Sequence, residues 1–85
     1  MKNEKVLRLY GTDWCPKSAN IRNYLQSEWI DFEDYNVETD ADAEARVRAL
    51  YNGVLKFPTI TYGDTFLKNP GIAELNAFLA LHKLL

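Results

Sequence analysis

The chain has 85 residues, 47% hydrophobic and 26% charged, with a formal net charge of −2. That balance is ordinary for one globular core, since a chain this size buries roughly 60–65% of its unfolded surface. The charge leaves no electrostatic footprint for nucleic acid, and the single cysteine excludes an internal disulfide framework and fits a reducing compartment.

The N-terminal run Met1-Lys2-Asn3-Glu4-Lys5 is polar, and the apolar stretch after it is short. It predicts neither a signal peptide nor a membrane span, so the expected location is cytoplasmic, with no membrane partner. Lys5 to Tyr10 reads as a first strand. Pro16 to about Ser27 is predicted helical, because a proline at the first helical position lacks only an N–H that has no partner there. Ile21, Tyr24 and Leu25 continue one face at helical spacing, and Trp29 at the helix end is expected in the core. Phe32 to Val37 reads as an acidic second strand. Thr39 to Asp42 has the form of a capping box, with Thr39 as the N-cap. The helix after it places Ala43, Val47, Leu50 and Tyr51 on one face, and Asn52-Gly53 closes it, Gly53 supplying the left-handed residue. Thr59 to Tyr62 and Thr65 to Leu67 flank Gly63-Asp64, a hairpin signal.

Asn69-Pro70 is expected to open the last helix, with Asn69 as N-cap. Ile72, Leu75, Phe78 and Leu79 give that helix a core face, and Leu81, Leu84 and Leu85 extend it. The order is βαβαββα. An initial βαβ unit needs a parallel pair and the terminal hairpin adds an antiparallel one. The predicted class is therefore α/β, a mixed four-stranded sheet with helices on both faces, built by residues 1–85 as a single domain.

The chemistry centres on Cys15, in Tyr10-Gly11-Thr12-Asp13-Trp14-Cys15-Pro16-Lys17-Ser18, between the first strand and the first helix. Unpaired backbone N–H groups and the positive end of the helix dipole favour a thiolate at such a junction. Lys17 adds positive charge and Asp13 opposes it. The alternative is a buried structural cysteine, against which the strand-to-helix placement before Pro16 argues. Ser18 occupies the position where a dithiol redox protein carries its second cysteine. Its hydroxyl either bonds the thiolate or satisfies first-turn N–H groups. Trp14 either walls a groove beside the sulfur or is packing surface. His82 is far from Cys15 in sequence and reads as an ordinary helical histidine. The eight acids between Glu28 and Glu44 have no His or Cys among them and read as a solvated face, not a metal site.

This element order, with Trp14-Cys15-Pro16-Lys17-Ser18 at the first strand–helix junction, resembles the thioredoxin fold and, within it, the glutaredoxin family. Phe57-Pro58-Thr59 and Leu67-Lys68-Asn69-Pro70 match at the right spacing, and Thr12, Trp14 and Asn69-Pro70 look most like the mycoredoxin-type branch. The resemblance implies a thiol–disulfide oxidoreductase with Cys15 as nucleophile. Thr12, Trp14, Pro16, Lys17 and Ser18 would be its neighbours. Phe57, Pro58, Thr59, Lys68 and Asn69 would bind the thiol substrate, Pro58 through a cis peptide bond and Phe57 through its backbone.

Without a second cysteine, the implied route is monothiol: an external thiol must regenerate Cys15. The implied co-substrate is glutathione or mycothiol, with no tightly bound cofactor. The implied partners are low-molecular-weight thiols and thiolated or disulfide-containing proteins, met by a monomer. Two departures bear on the thiol. Thr12 stands where glutathione-using relatives usually carry a basic residue, and Lys68-Asn69-Pro70-Gly71 replaces a Gly-Gly-x-Asp-like turn. The rival readings are an iron–sulfur cluster carrier, an interaction domain without turnover, and, if Ser18 replaces a cysteine by design, a dithiol electron donor to a reductase.

Overall fold

The computed structural model describes residues 5–84. Alternation of apolar and polar side chains builds the central strand β1 (Leu7–Gly11), with Leu7 and Leu9 toward one face and Tyr10 toward the other. Strand β2 (Glu33–Asn36) lies parallel to β1, with Leu9 opposite Asp34. Strand β3 (Thr59–Tyr62) runs antiparallel to β1, Leu9 facing Ile60, and β4 (Thr65–Lys68) pairs antiparallel with β3. The sheet order is β2-β1-β3-β4. Gly63 opens the β3–β4 turn at φ 62°, a conformation in which glycine meets no Cβ penalty.

Helices α1 (Pro16–Ser27), α2 (Ala41–Leu50) and α3 (Ile72–Leu81) complete the expected order. One core joins Ile21 and Leu25 of α1, Leu75, Phe78 and Leu79 of α3, and Leu7, Leu9 and Ile60 of the sheet. On the opposite face Tyr10 packs with Val37, Ala43 and Val47. Helices thus cover both faces of a mixed four-stranded sheet, as predicted.

The helix ends depart from the sequence reading. Trp29 is not core but 93% exposed, at φ 58°. Helix α1 stops at Ser27, and the chain closes by Trp29 N–H to Gln26 O at 3.1 Å and Ile30 N–H to Leu25 O at 3.1 Å. This closure requires a left-handed residue at position 29 and returns Ile30, not Trp29, to the core beside Leu25. Helix α3 ends the same way, with Lys83 left-handed at φ 61° and Leu84 N–H on Leu79 O at 2.8 Å. It therefore stops at Leu81, which is exposed, rather than continuing through Leu84; Leu85 lies outside the described residues. At the end of α2, Asn52 is left-handed at φ 57° ahead of Gly53, and Leu50 turns partly to solvent.

Two helix starts also move. Asp40, not Thr39, caps α2, its carboxylate accepting from the Asp42 and Ala43 N–H groups at 3.1 Å each. Asn69 does not cap α3. Gly71 does, without a side-chain bond, and Asn69 instead turns the chain at φ 49°. A left-handed residue lacks the extended backbone of an N-cap; Asn69 N–H instead donates to Pro58 O at 2.9 Å, tying the end of β4 to the start of β3. Ile72, expected on the core face, is 40% exposed in consequence.

Candidate active site

Strand β1 delivers the chain to a three-residue turn, Thr12-Asp13-Trp14, and Cys15 follows as the N-cap of α1. The turn is held from inside. Buried Thr12 accepts the Cys15 N–H on Oγ1 at 3.2 Å, and its own N–H points to Ser18 Oγ at 3.4 Å. Ser18 is buried under the first turn of α1 against Gly11. Its hydroxyl accepts from the Thr12 N–H of the turn before α1, not from a first-turn N–H of the helix, and it bonds the Cys15 sulfur as well.

The Cys15 side chain is half-buried, and burial is the largest influence on it, pushing the thiol upward. The Ser18 N–H, the Ser18 hydroxyl, the Lys17 N–H and the Lys17 charge act the other way. Together they win, and the thiol sits below its ordinary value. The cause is the helix start: N–H groups that α1 cannot use internally point at the sulfur.

Phe57-Pro58 is a cis peptide bond, as the resemblance implied. Pro58 and Thr59 are buried, and Thr59 Oγ1 donates to Lys56 O at 3.0 Å while receiving the Tyr51 hydroxyl at 2.9 Å. Those bonds fix the entry into β3. Phe57 meets the Trp14 ring edge-on at 5.8 Å between centroids, and Trp14 Nε1 donates to Glu38 Oε1 at 2.8 Å. Trp14 remains 63% exposed, a ridge beside the cysteine rather than core packing.

Leu55, Lys56, Phe57, Lys68 and Asn69 line a cleft of about 410 Å³. A smaller cleft of about 220 Å³ lies between α1 and the turn before α3, lined by Lys17, Asn20, Ile21, Pro70, Gly71 and Ile72. Lys17 Nζ donates to Asn69 O at 3.2 Å across the boundary of the two. Thr12, Lys17 and Ser18 are thus gathered at Cys15, and Phe57, Lys68 and Asn69 line one cleft. Lys56, Leu55 and Glu38 were not singled out from sequence. They lie in irregular segments, where no periodicity marks which side chain faces inward. A further cleft, about 480 Å³, lies at the opposite end of the sheet and is lined by none of these residues. His82 is at that end too, against Phe78 and Tyr62, with no contact to Cys15. Among the described residues no three His, Cys, Asp or Glu side chains group as a metal site, and no helix is long and apolar enough to cross a membrane.

A lone thiol held below its ordinary value at a strand–helix junction, at the same sheet end as the Phe57-Pro58 entry into the neighbouring strand, is the arrangement of a thioredoxin-fold redox protein. Solved structures agree on the fold. The thioredoxin-like protein BC3987 superposes with a TM-score of 0.76 at 22% identity, covering 86% of this chain and 99% of that one. The glutaredoxin from Archaeoglobus fulgidus gives 0.72 at 18% identity, covering 88% and 86%. The family profile described as Glutaredoxin matches residues 7–67. Mycoredoxin 1 of Corynebacterium glutamicum is 34% identical over 70 residues, which is 81% of this chain and 86% of that protein. A glutaredoxin-like 8.6 kDa protein in the rubredoxin operon of Clostridium pasteurianum is 36% identical over 45 residues, covering 53% of this chain and 60% of that one. The chain belongs to the glutaredoxin family and is a mycoredoxin-like member of it.

Proposed function

We propose that this protein reduces mixed disulfides by a monothiol cycle through Cys15. The observation that carries this reading is the thiol held below its ordinary value at a helix start where Ser18 occupies the place of a second sulfur. The Cys15 thiolate attacks the small-thiol sulfur of a protein mixed disulfide. A new disulfide forms between Cys15 and the small thiol, and the protein sulfur leaves as a thiolate that takes a proton from water. A second small thiolate then attacks the adduct, releasing the symmetrical small disulfide and the free Cys15 thiolate. A hydroxyl at position 18 cannot carry out that second attack, so the external thiol is obligatory.

Ser18 and Lys17 stabilise the thiolate, Thr12 and Pro16 set the turn and helix that present it, and Trp14 walls one side. Phe57, Pro58, Thr59, Lys68 and Asn69 shape the groove for the small thiol, with the Phe57 backbone as its pairing edge. The co-substrate is glutathione or mycothiol, used without a tightly bound cofactor, and the other partner is a thiolated or disulfide-containing protein. A reducing compartment such as the cytoplasm suits the cycle, and a monomer is sufficient for it. Turnover of a mixed disulfide with glutathione and with mycothiol, measured side by side, tests the reading and identifies the thiol. Cys15→Ser should abolish turnover with either; substantial residual activity overturns the assignment.

A further inference from the structure

We propose that Lys17 is a positioning residue which, by clasping the Asn69 carbonyl, fixes the wall of the groove beside Cys15. Asn69 is held from both sides. Its N–H is taken by Pro58 O at 2.9 Å, and its carbonyl by Lys17 Nζ at 3.2 Å. The residue is exposed and left-handed at φ 49°, a conformation that asparagine adopts more readily than other residues with a Cβ. Asn69 lines the cleft with Phe57 and Lys68. The Lys17 amine thus spans from the first turn of α1 to the turn between β4 and α3, on the boundary between the two clefts. A cation–carbonyl bond there ties the element that carries the sulfur to the element that lines the groove. Movement of either is then felt by the other.

The clasp rests on geometry alone, whereas its kinetic role rests on the reading of the groove as a thiol site. Lys17→Met keeps most of the stem and removes the donor, and Lys17→Arg restores one. In Lys17→Met, the Asn69 amide, followed by nuclear magnetic resonance, should exchange with solvent roughly three- to tenfold faster, as expected for loss of one exposed charge-assisted bond. KM for the small-thiol mixed disulfide should rise by a similar factor. It is measured at alkaline pH, where Cys15 is ionised in every variant, so that loss of the Lys17 charge no longer changes the thiolate fraction. Lys17→Arg should recover both. Unchanged Asn69 exchange in Lys17→Met overturns the clasp. Faster exchange with unchanged KM overturns its role in the groove. Absence of turnover in the unaltered chain would instead overturn the functional reading, and the exchange measurement still decides the clasp.

Discussion

Gly11 and Ser18 approach so closely that a Cβ on Gly11 would lie 2.5 Å from Ser18 Oγ and 2.8 Å from Ser18 Cβ. The last residue of β1 and the first turn of α1 therefore pack without room for a methyl group. Gly11→Ala should destabilise the protein by about 1–3 kcal/mol, the usual range for overpacking a filled site. Each kcal/mol lowers the melting temperature of a domain this size by roughly 4–8 °C. Because relief requires Ser18 to move, alkylation of Cys15 should slow as well. Full stability with unchanged alkylation would show that the contact is slack.

The thiol of Cys15 is lowered in the folded chain, and that sets a pH dependence. Its contribution to stability is fully present above the ordinary thiol value of about 8.5. It declines as pH falls and is gone below the folded value. The melting-temperature difference between the unaltered chain and Cys15→Ser should therefore grow as pH rises through that window. Iodoacetamide should modify Cys15 at pH values where a free thiol reacts slowly. Ser18→Ala and Lys17→Met should each move the alkylation profile upward, because each removes a group that favours the thiolate. A profile matching that of free cysteine would contradict this account of the site.

The N-cap of α2 separates two adjacent residues by experiment. Asp40→Ala removes the acceptor for two N–H groups and should cost about 1 kcal/mol. Thr39→Ala should be nearly neutral, since Thr39 Oγ1 has only a long 3.5 Å bond to Asn36 O. Urea denaturation of the two variants reads the difference directly, and equal losses would refute the assignment of the cap.

Trp29 holds a left-handed conformation that costs a residue with a Cβ roughly 1–2 kcal/mol. Its ring is almost wholly exposed and returns little packing energy. Trp29→Gly should therefore stabilise the protein by about 0.5–1 kcal/mol, part of the relief being offset by the larger unfolded-state entropy of glycine. Thermal unfolding measures this; a loss of stability would mean that the indole contributes packing after all.

The parts of the fold that repeat were legible in the sequence. Leu7 and Leu9 at alternating positions, and Ile21 and Leu25 or Ala43 and Val47 four apart, mark strand and helix faces by period alone. The helix ends were less legible, because they are settled by bonds to residues elsewhere. Asn69 looked like a cap, but it holds a left-handed turn bonded to Pro58 O, and α3 starts only at Ile72. Trp29 looked like core because its spacing continued a helix that had already closed through Leu25. At the site, Cys15, Pro16, Ser18 and the Phe57-Pro58-Thr59 run were readable as contiguous motifs. The Trp14 indole N–H bond to Glu38, and the Lys17–Asn69 bond, join residues far apart in the chain and leave no local pattern.

Ser18, packed where another sulfur would stand, has a consequence for how the protein's redox history can be followed. Cys15 is the sole cysteine, so every disulfide the chain forms must include atoms from another molecule. Such oxidation therefore always adds mass. Intact-mass spectrometry of material quenched by rapid alkylation would read both the fraction of Cys15 held in mixed disulfides and the chemical identity of what it last met.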